Sequence, residues 1–221
     1  MYTGPHIVQD GLIFAIDAGS ARSYTGSGNN VTDLAGTNTG VFINGITYSA
    51  NNGGKWEFDG TDEQLLLNSG TAIVVNDFTI TQWIQFPGTT QRMSIGGGLH
   101  TTTPVAEYRG YIWYRSPQGE IRVFVNSETG AVFSVNGSLY LNGFHQITAT
   151  RSGNAYKLYI DGVQVDVTRT GSTNDFSIRT IGWGYSNGYA FQGDIANTLI
   201  YNKALTDAEV AQNYNGQESR F

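Results

Sequence analysis

Aromatic and small polar residues alternate in one glycine-rich segment of the 221-residue chain. Trp183, Tyr185, Asn187 and Tyr189 stand there among glycines and a serine. Sugars present flat C–H faces that stack on aromatic rings, while their hydroxyl groups need amide and hydroxyl partners. The segment therefore predicts a glycan-binding loop formed by these four residues. Alternatively, Trp183 only caps one end of the fold or packs against a neighbouring subunit.

A second aromatic candidate is Trp113, which alternates with Ile112 and Tyr114 in a run of strand-forming residues. Because successive strand residues point to opposite faces, Trp113 lies on the face opposite its two neighbours. That position predicts either a ligand-binding sheet surface or a place in the core.

Residues suited to catalysis or metal binding do not form a known pattern. The chain has no cysteine, and His6, His100 and His145 are isolated, which indicates surface or hydrogen-bonded roles. Gly96–Gly98 lack the Lys-Ser/Thr and helix start of a phosphate-binding loop. No catalytic residue, metal ligand set or cofactor is predicted from these residues, so the expected protein is not an enzyme.

Charge and hydropathy exclude further classes of function. The formal net charge is −6 and lysines and arginines do not cluster, so no nucleic-acid partner is expected. No apolar run reaches the roughly 20 residues of a membrane span, so no membrane insertion is expected. The first residues also lack the charged start and apolar stretch of a secretory signal.

The elements that would position these residues are mostly short β-strands, because apolar residues recur with a period of two along most of the chain. Gly-rich segments at 19–30 and 96–103 are predicted to be surface loops. The predicted strands cover 11–17, 41–43, 46–48, 55–58, 63–67, 78–86, 91–95, 109–115, 120–126, 131–135, 143–150, 155–160, 163–167, 176–182 and 194–202.

Two turns and one helix have specific sequence signals. Asn44-Gly45 and Asp161-Gly162 each separate two alternating runs, which predicts two antiparallel hairpins with type I′ turns. At 205–215, Thr206 and Glu209 form a capping box, which predicts a short C-terminal helix.

Many short strands followed by a single helix can bury their apolar faces only in two packed sheets or a closed barrel. No internal repeat or linker divides the sequence. We therefore predict an all-β fold, a two-sheet antiparallel jelly-roll sandwich with a short C-terminal helix, as a single domain over residues 1–221.

The sequence resembles the laminin-G-like and concanavalin A-like lectin/glucanase domains. The resemblance rests on the order and spacing of four stretches and extends over nearly the whole chain. The four stretches are 11–17 with 53–62, then 78–84, then 144–163, and finally 181–205 with the closing helix. The first ends in Phe58-Asp-Gly-Thr-Asp62. The second contains Trp83, which the resemblance places in the core.

The resemblance implies two kinds of site that can be compared with these residues. Glycoside hydrolases of this fold carry Glu-x-Asp-x-Glu on one strand, but the nearest match, Glu57-Phe-Asp59-Gly-Thr61, has threonine in the third position. Relatives often bind a structural calcium ion, which prefers oxygen ligands. If calcium is bound here, the expected donors are Asp17, Asp59, Asp62 and Asp194, although Ala196 replaces a common acidic residue.

The last residues, 213–221, are similar to the ends of such domains in tailed-bacteriophage proteins. This resemblance implies a virion structural or recognition protein, such as a capsid decoration, fibre or appendage component, assembled in the host cytoplasm and exposed on the particle. The expected partners are other virion proteins or identical subunits, with host-surface glycan as the ligand. The alternatives are a free-standing lectin module of a bacterial surface or secreted protein and a glycoside hydrolase.

Overall fold

The computed structural model describes residues 6–86, 92–97, 111–115, 120–124, 131–135, 143–183 and 190–221. These residues form nineteen β-strands and one α-helix. The elements are β1 (Leu12–Asp17), β2 (Asn30–Thr32), β3 (Thr39–Ile43), β4 (Thr47–Ser49), β5 (Lys55–Asp59), β6 (Gln64–Leu67), β7 (Ile73–Val75), β8 (Phe78–Gln85), β9 (Arg92–Gly97), β10 (Tyr111–Arg115), β11 (Glu120–Phe124), β12 (Ala131–Ser134), β13 (Phe144–Ser152), β14 (Ala155–Ile160), β15 (Val163–Gln164), β16 (Arg169–Thr170), β17 (Phe176–Ile178), β18 (Thr180–Ile181), β19 (Gln192–Tyr201) and α1 (Asp207–Asn215).

Two large antiparallel sheets contain most of the strands. The nine-stranded sheet has the order β15-β14-β13-β8-β19-β5-β4, with β16 on β14 and β1 on β19. The eight-stranded sheet has the order β12-β11-β10-β9-β18-β6-β3-β2. A separate small sheet pairs β17 with β7. The predicted all-β jelly-roll sandwich is confirmed.

The long strand β19 forms the centre of the nine-stranded sheet. Its residues 197–201 pair with β1 and its residues 192–195 pair with β5. β1 and β5 therefore lie end to end along the same side of β19, opposite β8. The register with β8 shifts between Ile195 and Asn197, which marks a β-bulge. At the bulge, the Ala196 carbonyl accepts a hydrogen bond from the Ala18 amide at 2.9 Å.

The sandwich interior is filled by one alternating set of side chains from each sheet, as the period of two predicted. Phe78, Ile80 and Ile84 face inward from β8, and Ile121 and Val123 face inward from β11. All five are at most 4% exposed. Burial of these apolar faces is the main force that holds the two sheets together.

A second apolar layer covers the outer face of the nine-stranded sheet. Leu199 and Tyr201 of β19 pack there with Leu205 and Val210, which flank the start of α1. Trp83 is buried as expected, but in this outer layer rather than between the sheets: its ring stacks on Tyr214 and Phe221. The helix and tail therefore close this face.

The capping box of α1 is confirmed. Thr206 Oγ1 accepts a hydrogen bond from the Glu209 amide, and the Glu209 carboxylate accepts one from the Thr206 amide at 2.7 Å. Within the described residues, no helix is both long and apolar enough to cross a bilayer.

One of the two predicted hairpins is confirmed. Asp161 and Gly162 have φ angles of 51° and 77° and form a two-residue turn between β14 and β15. The flanking residues Ile160 and Val163 pair directly in the antiparallel ladder. Asn44 and Gly45 also have positive φ, but the hairpin prediction there is wrong. The turn carries the chain from β3 in the eight-stranded sheet to β4 in the nine-stranded sheet.

The predicted strand 176–182 is in fact two short strands in different sheets. β17 pairs with β7, whereas β18 pairs with β6 and β9. A single run of apolar residues cannot reveal this change of partner, because both strands bury their side chains. β2, β7 and β16 were not predicted, and each is only two or three residues long.

Candidate functional site

The outer face of the eight-stranded sheet is the candidate binding surface, because α1 and the tail cover the other sheet. Along β11, the inward residues Ile121 and Val123 are fully buried, whereas Glu120 and Arg122 are partly exposed. Val41 and Leu66, from β3 and β6, are also partly exposed. A partly apolar surface with charged groups is suited to recognition of polar ring compounds.

Trp113 belongs to β10, an interior strand of this sheet. It pairs with Arg122 of β11 and Ser94 of β9, whereas Ile112 pairs with the buried Val123. Strand pairing therefore sets the Trp113 backbone opposite Arg122. The place of the Trp113 side chain, on the sheet surface or in the core, and its role as a glycan contact stay predictions.

Glu120 and Arg122 are candidate site residues that the sequence analysis did not single out. Arg122 Nη2 lies 2.8 Å and Nε 3.1 Å from Glu120 Oε2, so the ion pair holds both groups in one arrangement on the sheet. Alternation in 120–126 could have placed both residues on the outer face. Their position beside Trp113 depends on strand pairing, which the sequence does not state.

Trp183 stands at the start of the aromatic segment and is only 9% exposed. Its carbonyl accepts a hydrogen bond from Thr180 Oγ1 at 2.7 Å, and the preceding Gly182 carbonyl accepts one from the Phe191 amide at 2.8 Å. These bonds fix the two ends of the segment. In this arrangement little of the Trp183 ring is open to a ligand.

Gly182 has φ of +81°, and a Cβ atom there would lie 2.2 Å from the Phe58 ring, so the turn into the aromatic segment requires glycine. Tyr185, Asn187 and Tyr189 lie outside the described residues, and their predicted glycan contacts stay predictions.

The carboxylates of the hydrolase-like segment are engaged in local interactions. Lys55 Nζ lies 3.1 Å from Glu57 Oε1 and 2.6 Å from Asp194 Oδ2. The lysine pKa is raised, because its hydrogen bonds to the two carboxylates outweigh the opposing effect of its burial. Glu57 is therefore one member of a three-residue ion cluster across β5 and β19.

Glu63 is the most buried carboxylate of this region, at 7% exposure. Its Oε2 accepts a hydrogen bond from the Asp59 amide at 2.5 Å, which closes the turn between β5 and β6. Burial raises the pKa of Glu63, and the nearby Asp59 and Asp62 add to the effect. The side chain spans two strands of different sheets and orders the turn.

Two of the four expected calcium donors are paired with cations. Asp17 Oδ2 lies 2.7 Å from Arg220 Nη1, and Asp194 lies beside Lys55. Asp59 Oδ1 accepts from the Thr61 amide at 2.7 Å, as turn carboxylates commonly do. In the described part of the chain, no three His, Asp or Glu side chains are grouped as metal ligands.

Histidine 145 forms a hydrogen bond through Nδ1 to Asp161 Oδ2 at 2.7 Å, so this residue has the hydrogen-bonded role that its isolation in the sequence predicted. His6 precedes β1, where its carbonyl accepts from Gln212 at 2.7 Å. His100 lies outside the described residues.

Two packed antiparallel sheets, with α1 and the tail over the outer face of one of them, define a lectin-like β-sandwich. The sequence profile of the Concanavalin A-like lectin/glucanases superfamily matches residues 59–211, and the chain belongs to that family. No curated protein sequence matches the chain.

Solved structures show the same fold at low sequence identity. The botulinum neurotoxin serotype D ligand-binding domain in complex with N-acetylneuraminic acid matches with TM-score 0.67 and 16% identity over 95% of this chain and 52% of its own. Domain 4 of AbnA, a GH43 arabinanase from Geobacillus stearothermophilus in complex with arabinotriose, matches with TM-score 0.66 and 15% identity. The match covers 92% of this chain and 98% of the AbnA domain.

A third structure, Trypanosoma rangeli sialidase in complex with 2,3-difluorosialic acid, matches with TM-score 0.65 and 14% identity over 95% of this chain. The present chain spans only 34% of that sialidase. These likenesses establish the fold.

Proposed function

We propose that the chain is a non-catalytic recognition protein of a bacteriophage particle, which binds host-surface polysaccharide through the outer face of its eight-stranded sheet. The observation that carries the proposal is the asymmetry of the sandwich. The tail and α1 bury one outer face, whereas the other presents the Glu120–Arg122 pair, with Arg122 opposite Trp113 in the strand register.

The chemistry of this face suits a carbohydrate. An aromatic ring can stack on the C–H face of a sugar, and a fixed arginine–glutamate pair offers both donors and acceptors to its hydroxyl groups. Two structural neighbours, the toxin domain and the arabinanase domain, are described in complex with sugars. They support the ligand class but not a particular glycan.

Two features support a binding role rather than hydrolysis. Thr61 occupies the position of the third acid in the hydrolase pattern. Glu57 Oε1 lies 3.1 Å from Lys55 Nζ, so this carboxylate is already engaged in an ion pair. Retaining hydrolysis needs two carboxyl groups about 5–5.5 Å apart, one of them protonated.

The virion part of the proposal rests on the resemblance of residues 213–221 to the ends of phage domains. Many copies on one particle would compensate for weak binding at each site, because linked sites bind with a high effective concentration. The proposed partners are therefore identical subunits or other virion proteins.

A glycan array with bacterial polysaccharides tests the binding role. Trp113→Ala and Arg122→Ala are each expected to lower retention by at least about tenfold, which corresponds to ~1.4 kcal/mol. Val74→Ala is the matched control, because Val74 is 52% exposed in the small β17–β7 sheet. Circular dichroism and thermal unfolding must show that all three variants fold.

Three results would contradict the proposal. Retention that is unaffected in both site variants would exclude this face as the binding site. Release of reducing ends from a polysaccharide, abolished by Glu57→Gln, would show a hydrolase. Absence of the chain from the mass spectra of purified phage particles that encode it would favour the free-standing lectin module instead.

A further inference from the structure

Four charged residues that are separated along the chain meet in two neighbouring rows of the eight-stranded sheet. Arg115 of β10 is directly opposite Arg92 of β9 on one side and Glu120 of β11 on the other. In the next row, two residues along β11, Arg122 is opposite Trp113. Directly opposite residues have Cβ atoms about 4.5–5.5 Å apart, so Arg115 is an immediate neighbour of both Arg92 and Glu120.

The charges at these four positions do not balance. Three arginines and one glutamate give a formal charge of +2, in a chain whose formal net charge is −6. The Glu120 carboxylate also serves Arg122, whose Nη2 lies 2.8 Å from Glu120 Oε2. Like charges directly opposite each other destabilise a sheet, so the Arg92–Arg115 pair favours an additional negative charge nearby.

The chain segments that adjoin the row at this end of the sheet supply no such charge. Residues 116–119 join β10 to β11, 87–91 precede β9, 135–143 follow β12 and 182–191 follow β18. None of these four segments contains an aspartate or a glutamate.

The described acidic residues closest to the row in the sheet order are engaged or distant. Asp166 Oδ2 accepts from the Ser134 amide at the end of β12, but it lies 2.7 Å from Arg169 Nη2 and is therefore neutralised. Asp62 and Glu63 precede β6, which lies two strands, or roughly 10 Å, from β9. Exposed charges more than about 8 Å apart are largely screened at physiological salt, so these two compensate little.

The geometry of arginine determines which anion suits this row. Its guanidinium group is a planar set of donors that matches a carboxylate with two parallel hydrogen bonds. Carboxylates that recur along a polymer can bind several arginines at once. Nucleic acid is a poor fit, because a chain with a net charge of −6 lacks the broad basic surface that a duplex needs.

From these observations, we propose that the polysaccharide bound by this face is an acidic one, whose uronate-type carboxylates bind at Arg92 and Arg115. Arg122 and Trp113 belong to the neighbouring row and contact the adjoining part of the same chain of sugars. The inference rests on the proposed function, because it names the ligand class of the same face.

The test measures binding of the full chain to polygalacturonate, alginate and polysialic acid. Each polymer is paired with its carboxyl-reduced form, which keeps the sugar chain but removes the charge. At least one acidic polymer is expected to bind at least about tenfold more tightly than its reduced form. The difference should shrink between about 0.1 and 1 M NaCl, because the Debye length falls from ~10 to ~3 Å.

Arg92→Gln and Arg115→Gln are each expected to raise the Kd for that acidic polymer by at least about tenfold and to leave the reduced form unaffected. Arg115→Lys, which keeps the charge but not the planar fork, should lose less than Arg115→Gln. Arg22→Gln is the matched control, because Arg22 is exposed in the loop between β1 and β2 and its loss changes the net charge equally. Circular dichroism must show that all four variants fold.

Several outcomes would overturn the inference. Equal binding of the acidic and reduced polymers, or retention of neutral glycans alone on the array, would show that the ligand class is wrong while the proposed function stands. An equal loss in Arg22→Gln would assign the effect to overall charge. Tighter binding of duplex DNA than of any uronate would show a nucleic-acid ligand. Retention of no glycan, acidic or neutral, would remove the proposed function as well.

Discussion

Replacement of Phe221 tests whether the C-terminal tail is a structural layer of the sandwich. The Phe221 ring stacks on Trp83 with centroids 4.4 Å apart and packs on Phe144 at 4.9 Å. The Arg220 guanidinium lies 4.9 Å from the centre of the same ring. Phe221→Ala removes all three contacts while it leaves the polypeptide chain at full length.

The expected loss follows from partial burial and from the ring contacts. Full burial of phenylalanine stabilises a protein by ~1.5–3 kcal/mol, so a half-buried ring contributes about 1 kcal/mol. Each aromatic pair adds ~0.5–1.5 kcal/mol. Phe221→Ala should therefore lower the free energy of unfolding by about 2–4 kcal/mol, or the Tm by ~4–16 °C for a chain of this size.

Urea and thermal unfolding measure the loss, and tryptophan fluorescence reports the opening of the layer over Trp83. Trp83 is only 2% exposed, so its emission should shift to longer wavelength in Phe221→Ala. Phe221→Leu, which keeps apolar volume but not stacking, should lose less than half as much. A loss below about 0.5 kcal/mol with unchanged emission would refute the idea that the tail seals this face.

Two further predictions concern α1 and the buried tyrosines. Thr206→Ala should lower the free energy of unfolding by about 1 kcal/mol, because Glu209 and Thr206 then lose the capping box; Thr206→Ser should restore most of it in the same urea assay. Burial raises the pKa of Tyr201 to about 12, and its hydroxyl donates to the Val8 carbonyl at 3.0 Å. Tyr201 therefore ionises at lower pH in the unfolded chain than in the folded one. The contribution of Tyr201 to the free energy of unfolding is complete below its ordinary pKa near 10 and should be lost as pH rises toward 12. Urea unfolding at a series of alkaline pH values should show this decline, and it should be smaller in Tyr201→Phe; an equal decline in both would assign it to other groups.

The fold was predictable from the sequence because its main signals are local. The period of two identifies each half-buried strand from its own residues, and the capping box specifies where α1 begins. Pairing is not local. Asn44-Gly45 has the backbone of a tight turn, yet β3 and β4 join different sheets, because burial of each strand against its neighbours decides the partner. The sequence therefore predicts the elements better than their connections.

The candidate site was less predictable for the same reason. Trp113 could be assigned to a face from its neighbours, but its position in register with Arg122 results from pairing between β10 and β11. The ion cluster of Lys55, Glu57 and Asp194 likewise depends on pairing between β5 and β19, which are distant in the sequence.

The two outer faces of the sandwich have different physical roles, and this difference limits where recognition can occur. A sheet binds a large polymer only if its side chains are open, and on the nine-stranded sheet Trp83 is sealed by Phe221 and Tyr214. The proposed polysaccharide ligand therefore belongs on the outer face of the eight-stranded sheet, where Arg122 is partly exposed and β11 pairs with both β10 and β12. Removal of the tail would expose Trp83 on the first face, but it would leave the second unchanged.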